Sequence, residues 1–324
     1  MKHLPTALAV AGLALITAMV AYYGIDTVED RVFSIGWGGF VVLLLLQTGL
    51  FVITGCAWHA IIPRRKRKPG WLFVWGRVVR DAAANCLPFS QMGGFLLGAR
   101  ATTLAGIAWP LAAASTVVDV TAEFLAQVAF ATIGLSILLV RAPDSALTLP
   151  LAIGLVVSVA GGATSIWLQR GASPVFARLG RKIAGHSFDS AEEWVEAFQG
   201  ELGLIYGNSG RLAWGSALHL CGWIGTGVAG WAAYRLMGVP IDLPAALAIE
   251  ALLHVVLTAA FLVPGYAGIQ EAAYAGLGLI FGVPPEVSLS VSLLRRARDL
   301  TLGIPALLGY QLLEVRRLRI IPPP

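Results

Sequence analysis

The chain has 324 residues, of which 57% are hydrophobic and only 13% are Lys, Arg, Asp or Glu, with a formal net charge of +5. A soluble domain carries about a quarter charged residues. At a mean hydropathy of +0.77 a soluble globular enzyme is excluded, which leaves an all-α polytopic membrane protein.

In chain order, the apolar residues lie in blocks at 4–24, 35–62, 109–140, 146–168, 212–234 and 244–262. Each matches the roughly 20 residues that a bilayer-spanning helix needs. Two further stretches, 95–108 and 266–283, are shorter or interrupted by Gly. Met1-Lys2-His3 precedes the first block without an A-x-A cleavage site, so the block reads as an uncleaved span. The three cysteines, Cys56, Cys86 and Cys221, stand singly in or beside apolar segments and read as small buried hydrophobes, with neither a disulfide nor a zinc site expected. Residues 1–324 thus form one integral membrane unit.

Cytoplasmic loops hold an excess of Lys and Arg. With a cytoplasmic N-terminus, the run from Arg64 to Lys68, the cluster from Arg170 to Lys182, Arg211 and the tail of Arg316, Arg317 and Arg319 all fall inside. Only Arg31, Arg141 and Arg235 fall outside, while Arg295, Arg296 and Arg298 lie within the last span. Both termini are therefore expected on the cytoplasmic side. The sequence pI of 9.3 reflects this topology and contact with anionic lipid, and no nucleic-acid partner is expected. Between the fourth and fifth blocks, Ser190 and Glu193 form a capping box that opens a helix at 190–206. Its apolar stripe, Trp194, Phe198, Leu202 and Ile205, predicts an interfacial helix on the cytoplasmic face with a structural role.

Two places combine a proline break with small and polar residues inside apolar sequence. One runs from Asn85 through Pro88, Gln91, Gly93 and Gly94; the other runs from Leu262 through Pro264, Gly265, Gly268, Gln270 and Glu271. With Pro88 set on Pro264, Gly106 falls on Gly282, Asp119 on Arg295 and Glu123 on Asp299, without a gap. The topology gives the copies, at 71–140 and 244–313, opposite senses. Each reads as a re-entrant broken-helix pair followed by a span. Broken helices in inverted repeats point to a transporter's midplane site, because broken backbone at membrane depth must be buried in protein or line a cavity. Two unrelated proline kinks are the plainer alternative.

Charge at mid-bilayer is costly, about 2.5–3.5 kcal/mol on insertion scales. At 1.5 Å per residue, Asp119, Glu123, Arg295, Arg298 and Asp299 lie ~14–21 Å into their spans, near mid-depth. Asp119 and Glu123 share one helix face, and the expectation is that they pair with Arg295, Arg296 or Arg298 across the interface between the copies. These groups, with Gln91, Arg100, Gln270 and Glu271, are the candidates for holding a lipid head; the alternative is a structural ion-pair network. Glu250 and His254 are a candidate proton-coupling pair. His3, His59, His186 and His219 are scattered, and neither a metal site nor a cofactor motif is expected.

At the breaks the residues resemble a known family. Leu87-Pro88…Gly93-Gly94…Arg100, then Pro264-Gly265…Gly268…Gln270-Glu271 and Ser292-Leu293-Leu294-Arg295, resemble the lysylphosphatidylglycerol-synthase transmembrane, or flippase-like, family over essentially the whole chain. Pro88 to Ala101 looks like the subgroup associated with hopanoid biosynthesis. Many relatives carry an acidic residue where this chain has Phe95. The resemblance implies a lipid transporter of the bacterial inner membrane, moving a hopanoid, polyprenyl lipid or phospholipid. It leaves a homo-oligomer or other lipid-transport proteins open as partners. The synthases of the family add a soluble aminoacyl-transferase domain, and that activity is not implied here. The rival expectation is a polytopic lipid-modifying enzyme using Glu271, His254 or Asp119 as acid or base.

Overall fold

The computed structural model describes residues 4–87, 90–171, 191–260 and 263–320, and among these it is all-helical. In chain order the helices are α1 (Leu4–Tyr23), α2 (Ile25–Ser34), α3 (Gly36–Ile61), α4 (Trp71–Cys86), α5 (Ser90–Leu104), α6 (Trp109–Arg141) and α7 (Thr148–Gly171). They continue with α8 (Ala191–Tyr206), α9 (Ser209–Leu236), α10 (Leu243–Ala259), α11 (Ile269–Ile280) and α12 (Pro285–Ile320). Single 3₁₀ turns occupy Arg64–Lys66 and Pro264–Tyr266. By length and composition α3 and α6 are long and apolar enough to cross a bilayer, whereas α1, α7 and α10 carry shorter apolar stretches.

Local chemistry sets the helix ends. Asn208 caps α9, accepting from the Arg211 N–H at 2.9 Å, and Asp242 caps α10, accepting from the Ala245 N–H at 2.9 Å. Gly106 and Gly282 end α5 and α11 with φ of 87° and 75°, a left-handed conformation open to Gly without a Cβ penalty. Past each glycine the same bond closes the helix: Ile107 N–H to Thr102 C=O and Val283 N–H to Gly278 C=O.

The chain forms two sets of three helices, α4–α5–α6 and α10–α11–α12. In the first, α5 folds back antiparallel on α4: Gly94 lies against the Arg80 backbone and Gly98 against Gly76 and Arg80. The two sets also cross-pack. α4 lies along α12, α10 lies along α6, and α9 bridges α3, α6 and α10. Gly134 of α6 sits against Ala251, and Gly303 of α12 against Cys86 and Ala82, so small residues permit both approaches.

Polarity is inverted relative to a water-soluble protein. Trp37, Val140, Leu149, Val156, Leu308 and Leu312 are exposed, while Asp119, Glu250 and Glu271 are at most 1% exposed. Two sequence expectations change here. Cys56 and Cys221 are exposed on apolar helices, not buried, as suits small hydrophobes that can face lipid. The stripe Trp194, Phe198, Leu202 and Ile205 of α8 is buried in the same core as Trp58, Phe73 and Leu111. That stripe therefore faces protein, and a Lys66–Glu201 salt bridge of 2.5 Å ties the basic loop to this helix. Ser190 and the cluster at 172–182 lie outside the described residues.

Candidate functional site

The first set of helices carries its own charge network. Arg77 and Arg80, one turn apart on α4, reach the carboxylates of α6. Arg77 holds Glu123 through two bonds of 2.8 and 2.5 Å and donates to Asp81 at 3.1 Å. Arg80 donates to Asp119 at 3.0 Å and to Glu123 at 2.5 Å. Forked guanidinium–carboxylate contacts of this kind are the strong form of an ion pair.

The second set reverses the sign. Here the carboxylate is on the first helix and the arginine on the long one. Arg295 of α12 donates to Glu250 of α10 at 2.7 Å and to the Tyr274 hydroxyl at 3.1 Å, and Tyr274 donates in turn to Glu250. Arg298 holds its neighbour Asp299 at 2.8 Å. The expected pairing of Asp119 or Glu123 with Arg295, Arg296 or Arg298 is thus not what forms. Balancing α6 against α12 left out Arg77 and Arg80 on α4 and Glu250 on α10, and these neutralise each set from within.

His254 donates through Nδ1 to the Glu250 backbone carbonyl at 2.8 Å. That fixes Nε2 as the lone-pair nitrogen, and Arg295 faces it at 3.4 Å. A proton added at Nε2 would meet the guanidinium, so protonating His254 requires Arg295 to move. His219, scattered among apolar residues in the sequence, is the member that spacing could not reveal. It is 1% exposed, its Nε2 lies 2.8 Å from Asp119, and its Nδ1 has no partner among the described residues. Only its position in space, facing Asp119 from α9, identifies it.

The second break is held by Glu271 and Arg296. The fully buried Glu271 accepts from the Gly268 N–H at 2.9 Å, from Ser292 at 3.2 Å and from Arg296, which also donates to the Gly265 carbonyl at 2.9 Å. Gly265, Tyr266 and Gly268 all have positive φ there; for Tyr266 this conformation stores strain that the surrounding bonds restrain. Gln270 donates to Ser292 at 2.9 Å. Of the first break, Pro88 lies outside the described residues, as does the Gln91 side chain. Gly93 and Gly94 fall in the first turn of α5, and Pro264 opens the 3₁₀ turn.

Between the two sets is a cavity of about 380 Å³, within the size range of small-ligand sites. Glu123, His254, Gln270, Arg295, Arg298 and Asp299 line it, together with Arg77, Arg80, Asp81 and His219, which the sequence had not marked as site residues. Asp119, Glu250 and Glu271 stand behind that lining and bond to groups in or beside it. Arg100 is elsewhere, paired with Glu314 at 2.5 Å beside the Trp109 ring. No cluster of three or more potential metal ligands occurs among the described residues.

A fold that buries charge and exposes hydrocarbon belongs in lipid, and a comparison with known families agrees. The family described as the lysylphosphatidylglycerol synthase TM region matches residues 6–309. The chain belongs to that family. It is a helical membrane protein whose family points to a membrane lipid as its substrate. No curated protein and no solved structure matches it.

Proposed function

We propose that the chain is a flippase that moves a hopanoid, or a related polycyclic or polyprenyl lipid, between leaflets of the bacterial inner membrane. The carrying observation is the cavity of charged and hydrogen-bonding groups between two broken-helix sets, inside an apolar exterior. Flipping is slow because a polar head loses its hydrogen bonds in hydrocarbon, at several kcal/mol per unsatisfied group. Glu123, Gln270, Arg295 and Arg298 would replace those bonds while the apolar tail stays in the bilayer.

Alternating access follows if the two sets are inverted repeats, with both termini cytoplasmic. Three observations support that reading: the matched glycine ends of α5 and α11, the crossed packing of α4 on α12 and α10 on α6, and the sign-reversed ion networks. The two mid-depth networks are each closed within their own set, so rocking of the sets would break only the half-buried Arg100–Glu314 pair between α5 and α12. Proton coupling fits His219 with Asp119 better than Glu250 with His254, because Arg295 already occupies the His254 acceptor.

One observation favours a lipid-modifying enzyme instead. The buried Asp119–His219 pair has the form of an oriented general base, on a histidine that lines the cavity and whose buried Nδ1 has no partner among the described residues. Lipid extracts of a deletion strain separate the two readings. Transport predicts an unchanged lipid inventory with one species in the wrong leaflet. Loss of a product, with its precursor accumulating, would make the protein an enzyme.

A further inference from the structure

Resting on that reading, the unsatisfied valences around the cavity specify the head. Gln127 donates through Nε2 to the His254 carbonyl at 3.1 Å and to Thr258 at 2.6 Å. A carbonyl can only accept, so the amide orientation is fixed and Oε1 is left over. Ser292 gives its proton to Glu271, so Gln270 must bond it through Nε2; its Oε1 is also left over. Asp81 and Asp299 each use one carboxylate oxygen and leave the other. Against these four acceptors stand Nε of Arg295 and Nη1 of Arg298, donors with no partner among the described residues.

Charge narrows the choice. Arg77, Arg80, Arg295 and Arg298 are each already bonded to a carboxylate, and Asp81, Asp119, Glu123, Glu250 and Asp299 at least match them. A phosphate accepts only; it would leave the four acceptors unmet and add negative charge where five carboxylates already face four guanidinium groups. An ammonium donates only and would leave the open N–H groups of Arg295 and Arg298 unmet. A hydroxyl does both. From this we infer that the cavity selects an uncharged, hydroxyl-rich lipid head, a polyol or sugar, over heads carrying phosphate or amine. A volume of about 380 Å³, roughly a dozen waters' worth, suits such a head and excludes the whole lipid.

Binding, measured apart from transport, tests this. The purified full-length protein in detergent would be titrated by native mass spectrometry with three chain-matched lipids: a glucosyl diacylglycerol, phosphatidylglycerol and lysyl-phosphatidylglycerol. The glucosyl lipid should bind at least roughly tenfold more tightly than either phosphate lipid, a margin of about one good hydrogen bond. Gln127→Met and Asp299→Asn, two independent near-isosteric changes, should each erase most of that margin. Tighter binding of either phosphate lipid overturns the inference, as does an unchanged margin in both folded variants. A protein that flips phosphatidylglycerol yet ignores the sugar lipid sinks the inference and keeps the flippase. One that binds the sugar lipid without flipping any lipid does the reverse.

Discussion

Glu123 accepts from Arg77 and Arg80 at once, so the charge balance of the first set turns on it. Removing one partner of a buried pair leaves an uncompensated charge, at about 3–5 kcal/mol. Arg77→Gln should therefore be strongly destabilising, and Glu123→Gln should recover much of that loss in the double variant. Glu123→Gln with Arg295→Gln should be additive to within ~0.5 kcal/mol, since they share no partner. Thermal unfolding in detergent gives both cycles; coupling between Glu123 and Arg295, and none between Glu123 and Arg77, would refute the closed networks. That Asp119, Glu123, Glu250 and Arg295 matter was legible in the sequence, because charge inside a span always needs an explanation. Which charge meets which was not. Spacing along one helix gives a face, and the partner depends on how α4 and α10 are laid across the sets.

Among the elements, the legible ones announce themselves by composition or by punctuation. The long spans α3 and α6 follow from hydrophobic runs, α8 from its 3.6-residue stripe, and both breaks from proline with glycine. α2 is not legible, because its charged sequence, Ile25–Ser34, is only ten residues long and lies between apolar blocks, where the short stripe of Ile25, Val28 and Val32 reads as part of a connection. The stripe of α8 was read correctly as a face and assigned the wrong neighbour, since periodicity cannot distinguish lipid from the buried side of α6. Gly282 tests the element scale. Placing Ala there forces a Cβ into left-handed backbone, at about 1–2 kcal/mol. Gly282→Ala should lower the melting temperature, and Gly106→Ala should do so by a similar amount. No loss at either site would mean that the paired helix ends are not conformationally determined.

For the whole molecule, the claims of inverted sets and lipid transport stand or fall on separate measurements. Ala108 and Pro284 occupy matched, exposed positions beyond the two glycine ends. In a variant lacking Cys56, Cys86 and Cys221, cysteines at 108 and 284 should react with a membrane-impermeant maleimide from opposite faces. Position 108 should label from the cytoplasm, as the Lys and Arg distribution requires. Labelling of both from one face would reduce the two breaks to unrelated kinks. Membrane residence was legible from composition alone, and the family from the motifs at the breaks. The full lining of the cavity was not, because it is assembled from α3, α4, α5, α6, α9, α10, α11 and α12, segments far apart in the chain.

Transport itself is tested most directly by reconstituting the purified protein in liposomes. Fluorescent hopanoid, glycolipid and phospholipid probes would be placed in the outer leaflet, and dithionite used to read out their exchange. Exchange should be faster than in empty vesicles for at least one probe, and slowed roughly tenfold by Arg298→Ala, which removes a free donor from the cavity. Exchange no faster than in empty vesicles for every probe, with the protein folded and under each ion and proton gradient, would contradict transport.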